Sequence, residues 1–133
     1  VRPMLKPKQL TGRIADPVEV WVGRAYVVIA IDARVRAGDK LTDAAAHVGT
    51  KHSSLLALAT KRATSLQAVA LSWRNEFHQG RVKNNTAKNV FKTGHQRLEE
   101  LSAASAQKGD FEKVARMSLS MAQQIAVRLS PRS

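Results

Sequence analysis

Residues 17–37, PVEVWVGRAYVVIAIDARVRA, constrain the fold of this chain more than any other stretch. Asp16, Pro17 and Glu19 carry the marks of a helix start: an acid that can cap, a proline suited to the first helical position, and an acid at the capping-box position. Gly38 stands just past the far end. As a helix the segment is apolar on nearly every side, because Val20, Val22, Val27, Val28, Ile29 and Ile31 leave no polar stripe. Such a helix must lie at the centre of a core or be covered by another chain. The same residues are β-branched and favour strands. A hairpin, VEVWV and AYVVIAI around Gly23-Arg24, is therefore the alternative. The start signal and the interspersed Ala25, Ala30 and Ala33 favour the helix.

The rest of the chain reads as further helices. One is expected over residues 42–48 and a second from His52 or Ser53 to Lys61. A third, capped by Thr64 or Ser65, carries Leu66, Val69, Ala70, Trp73 and Phe77 and ends at Gly80. The polar loop QGRVKNN follows, then a helix capped by Asn85 or Thr86 with Ala87, Val90, Phe91, Gly94, Leu98 and Leu101 in one stripe. A turn is expected at Lys108-Gly109-Asp110. The last helix shows Val114, Met117, Met121, Ile125 and Leu129, with the two methionines read as core filler. The final two helices read as an antiparallel hairpin with facing stripes. The last one resembles half of a tetratricopeptide hairpin, but no second copy stands at a repeat period. The expected fold is thus all-α: a basic arm over residues 1–15, a helical core over 16–80, and a hairpin over 85–130 that serves packing or oligomerisation.

With 133 residues the chain is long enough to bury a core without staples. It has no cysteine, which removes disulfides, thiol nucleophiles and cysteine-based zinc sites and fits a reducing cytoplasm. The apolar run 25–31 is too short to span a bilayer, and the basic N-terminus is not followed by a signal-like apolar stretch. Charge is unevenly spread. The net charge is +12, of which +8 falls in residues 44–98, where Glu76 is the only acid. All four histidines, His47, His52, His78 and His95, lie in that block as well. A polyanion is the simplest partner for such a surface, because neutralising phosphates releases counterions. Few aromatics accompany the cations, which argues against single-strand binding by base stacking.

Within the basic block, LTDAAAHVGTKHSSLLAL (residues 41–58) has Ala45, Gly49, Leu55 and Leu58 four, six and three residues apart. This spacing resembles the helix-turn-helix of DNA-binding proteins. An aliphatic residue usual after the turn glycine is replaced here by Thr50. The resemblance implies a second helix entering the major groove of double-stranded DNA. Lys51, His52, Ser53 and Ser54 would reach base edges or phosphates, and Ala57 would permit close approach. Lys61 and Arg62 would bind phosphate, and Arg81, Lys83, Lys88 and Lys92 would extend the track along the backbone. Dimers are common for such modules, so a homo-oligomer is expected. The architecture also resembles the small subunits of phage terminases, which combine a helix-turn-helix with helical oligomerisation segments.

No catalytic constellation stands out. The glycines form no phosphate-cradling loop and no serine sits in a nucleophile elbow. His47 and His52, five apart across a turn, lack the neighbours of a metal site. The expected function is a non-catalytic DNA-binding regulator without a cofactor. The alternatives are a packaging subunit, or a helical interaction protein that binds RNA or an acidic partner.

Overall fold

The computed structural model describes residues 17–59 and 65–129. The described residues are helical, without strands, in the order α1 (Val18–Arg36), α2 (Leu41–Lys51), a 3-10 helix (Ser53–Leu58), α3 (Leu66–His78), α4 (Asn85–Ala103) and α5 (Lys108–Leu129). The all-α expectation holds, and the hairpin alternative for residues 18–31 falls.

The first helix is the axis on which the others pack. Ala25, Val27, Val28, Ala30, Ile31 and Ala33 are fully buried, on all sides of the helix. Its β-branched side chains cost a few tenths of a kcal/mol each in helix propensity. Burying one is worth about 1.5–3 kcal/mol, so tertiary packing outweighs local preference. The cover comes from α2, α3, α4 and α5 of the same chain, so the helix calls for no second copy to hide it.

The third helix follows expectation: Ser65 Oγ accepts from the Ala68 N–H at 3.1 Å, and Leu66, Ala70, Trp73 and Phe77 are buried. Helices α1, α3 and α4 end in the same way. After α1, the Gly38 N–H bonds Val35 O and the Asp39 N–H bonds Arg34 O, with Gly38 at φ +115°. Gly80 (φ +71°) repeats this after α3, and Ser105 (φ 54°) after α4.

Several starts differ from the sequence reading. Pro17 is the N-cap of α1, and Glu19, expected in a capping box, instead accepts from Arg128 of α5 at 3.0 Å. Asp16 lies outside the described residues. Asn84, one residue earlier than expected, caps α4 by accepting from the Ala87 N–H at 2.9 Å. The helix α5 begins at Lys108, because Asp110 reaches back to the Gln107 N–H at 3.0 Å. The turn expected at 108–110 therefore sits at residues 104–107.

The last two helices scarcely touch: each packs on α1, and a cleft separates them. Helix α5 runs antiparallel along α1, with Glu19 paired to Arg128 at one end and Ile125 beside Gly23. It turns Phe111, Ala115, Ser118, Leu119, Ala122 and Ile125 inward. The small residues in that set allow close contact with α1, so Met117 and Met121, 61% and 42% exposed, are not core filler. They line a cleft of about 1020 Å³ between α4 and α5 with Tyr26 and Ile29 at its floor. Helix α4 also packs on α1, where Gly94 meets Ile29 so closely that a Cβ would lie 2.3 Å from its Cδ1.

Candidate functional site

The helix-turn-helix-like segment is built differently from its resemblance. Gly49 is not a turn residue. It lies inside α2, half-buried against α3, where an added Cβ would sit 3.2 Å from the Gln67 backbone nitrogen. Its absent side chain serves the approach of two helices. The second element is a six-residue 3-10 helix that ends at Leu58, since Ala59 is extended (φ −92°, ψ 117°). It offers no long recognition helix.

This short element is held down on α1. Leu55 and Leu58 are fully buried, and Leu58 packs against Gly23. The Arg24 Nε–H, itself buried, donates to Leu58 O at 2.8 Å. The Arg24 guanidinium lies between Trp21 and Trp73, 4.6 and 5.2 Å from their ring centroids. An arginine in the first helix thus satisfies a carbonyl that the short helix leaves open.

The residues expected to meet DNA divide accordingly. Lys51 and Ser54 are exposed. His52 is half-buried, and its Nδ1 accepts from Gln123 Nε2 of α5 at 2.6 Å, so it is a tether. Burial, then the nearby Lys51, lowers the His52 pKa. Burial, then Arg34, His52 and Lys51, lowers that of His47, with Asp39 opposing. Both are therefore neutral near pH 7 and add no cation. Ala57 is half-buried. Lys61 and Arg62 lie outside the described residues, as does the Ser53 side chain.

The second group of expected residues is exposed along one segment of the chain, residues 81–92. Val82, 4% exposed, pins the loop after α3, so Arg81 and Lys83 on either side of it point to solvent. Asn84 then caps α4, and Lys88 and Lys92 stand exposed one turn apart. None of these four makes an ion pair among the described residues. Residues 77–98 contain no acid at all. Three cations thus gather near the positive end of a helix dipole, without the acid that would ordinarily stabilise it.

A further polar cluster has no counterpart in the sequence reading. Asp32, 3% exposed, stands on α1 amid the apolar core. The Arg74 Nε–H donates to its Oδ1 at 2.5 Å. Nε2 of His78 and Nε2 of His95 lie 2.7 and 2.6 Å from its Oδ2. The two imidazoles are edge to face at 5.1 Å, and Phe91 contacts both, at 5.4 and 4.5 Å. Burial by itself raises the Asp32 carboxyl. The bonds from His95 and Arg74, the Arg74 charge and the His78 bond together hold it below its ordinary value. The signal for this cluster was an acid inside an otherwise apolar, all-round buried helix. Such an acid needs partners, and only the packing of α3 and α4 names them.

Comparison with known protein families, with curated proteins and with solved structures finds no match. Among the described residues no helix is long and apolar enough to cross a membrane.

Proposed function

We propose that the chain is a non-catalytic protein that binds double-stranded DNA through its phosphates, along the surface of Arg81, Lys83, Lys88 and Lys92. The observation that carries this reading is the set of four exposed cations, without an ion pair among the described residues, on an anchored segment free of acids. Clustered cations of this kind repel one another and the helix end they crowd, a cost that a polyanion offsets. Lys51 and Ser54 are candidates for further contacts. Base reading by a long helix is not part of the proposal, because the element after α2 is short and docked on α1. A duplex fits better than a single strand. Of the six aromatic side chains three are buried and three half-buried, so none offers an open stacking platform.

Both a regulator and a DNA-packaging subunit use such contacts, and either role belongs in the cytoplasm. A homo-oligomer, if formed, would be built on the cleft face where Met117 and Met121 are exposed; light scattering at tens of micromolar measures it. The test of the main reading is fluorescence anisotropy with duplex DNA, single-stranded DNA and RNA of equal length. Duplex DNA is expected to bind tightest, and raising salt from about 50 to about 200 mM should cost about two decades in affinity. Tighter binding to RNA, or affinity independent of salt, would overturn it.

A further inference from the structure

A carboxylate buried in an apolar helix is costly unless its partners are well placed. The Asp32 partners are divided in an informative way. Arg74 takes Oδ1, whereas two imidazole nitrogens from two other helices converge on Oδ2. Oδ2 and the two imidazoles supply three ligating atoms, all within 4.8 Å of one another. We propose that Asp32, His78 and His95 form a binding site for one divalent transition-metal ion of the zinc type.

The donor set selects the ion class. Two imidazole nitrogens and one carboxylate oxygen suit zinc and its first-row neighbours, whereas calcium and magnesium require oxygen ligands. The surroundings supply what a metal site needs beyond its ligands. Arg74 fixes the carboxylate through Oδ1 and leaves Oδ2 free to bind as a single-oxygen ligand. Phe91 packs against both rings and limits their rotation. The side chains of His78 and His95 are 36% and 22% exposed while that of Asp32 is 4% exposed, so one side of the cluster opens to solvent. That opening leaves room for a water as fourth ligand.

Tetrahedral zinc, about 2.0–2.1 Å from each ligand, separates ligand atoms by roughly 3.3 Å. Nε2 and Oδ2 must therefore part by roughly 0.7 Å, a movement the two partly exposed rings can make. When the ion binds, a neutral ring moves its proton from Nε2 to Nδ1 by exchange with solvent, and a protonated ring releases the Nε2 proton. The ion would then join α1, α3 and α4 at one point, in place of the two hydrogen bonds from the histidines to Asp32. None of its ligands is among the cations assigned to DNA, and the inference does not rest on that reading.

The test uses the full chain without a histidine tag, stripped with chelator and titrated with zinc chloride in a calorimeter. Cobalt(II) is a second probe, read by its visible absorption. The expected result is one zinc per chain and one cobalt with a ligand-field spectrum. His78→Gln and His95→Gln should each weaken zinc binding by at least about 100-fold, more than loss of an outer-shell partner does. The double variant His47→Gln/His52→Gln should bind as the parent does. Circular dichroism reports folding of each variant, and His78→Gln, at the more exposed ring, decides if His95→Gln fails to fold. The proposal is overturned if the parent binds no stoichiometric zinc or if His78→Gln binds equally well. Loss of binding in the His47/His52 variant would overturn it too.

Discussion

The segment over residues 41–58 and the corner around Asp32 have both been drawn onto α1, by opposite routes. In the first, a local spacing of small and apolar residues resembles a known motif, yet the packed result differs from it. Gly49 is helical, and the following element is a short 3-10 turn pinned by Leu55, Leu58 and Arg24. In the second, no local spacing links the acid to its partners. Asp32, Arg74, His78 and His95 are up to 63 residues apart and meet only because three helices pack. A one-dimensional pattern constrains neighbours along the chain. A site made across helices is constrained by what burial forbids to remain unpaired.

Substitutions can break or sharpen this contrast. The largest effect is expected from Leu58→Ala, about 2–5 kcal/mol of lost stability by denaturant unfolding, since the side chain is fully buried against α1. A parent-like midpoint would mean that the short helix is not anchored as described. Next comes Asp32→Asn in chelator-treated protein, at roughly 1–3 kcal/mol, because the partners lost are partly exposed and can rehydrate.

The Asp32 effect carries a sign in pH. Its carboxyl is held below the ordinary value in the folded state. The advantage of the parent over Asp32→Asn should therefore be complete above about pH 4 and shrink as pH falls through the folded-state value. An advantage that grows on acidification would contradict the assignment. Gly94→Ala should cost roughly 1–3 kcal/mol, because its Cβ would collide with Ile29. The smallest change is expected from Gly49→Ala, within about 1 kcal/mol in melting experiments. There the gain in helix propensity opposes a tight contact with Gln67. A large loss would restore Gly49 to the turn that its spacing suggests.

Much of the fold was legible because it rests on local signals. Ser65 caps α3, Gly38 and Gly80 close their helices, and an all-round apolar α1 had to be central or covered by another chain, of which the structure shows the first. Helix faces were less legible where two stripes compete. In α5 the Met117–Met121 stripe lost to one built on Ala115, Ser118 and Ala122, because small side chains let α1 come close. Of the candidate site, Arg81, Lys83, Lys88 and Lys92 were picked out by charge alone, and the structure shows them exposed; charge needs no register. The bond that holds His52 was not legible, since its partner Gln123 lies 71 residues away.

The central functional claim is that DNA meets the Arg81–Lys92 surface through phosphates. It is tested most directly by the salt dependence of duplex binding in a variant with Arg81, Lys83, Lys88 and Lys92 all changed to Gln. If these four neutralise phosphates, the slope of log affinity against log salt should fall by about 3–4 relative to the parent. The residual slope should be the same for every duplex sequence, since phosphate contacts carry no base information. An unchanged slope, with the variant folded, would contradict the account and move the DNA to another face.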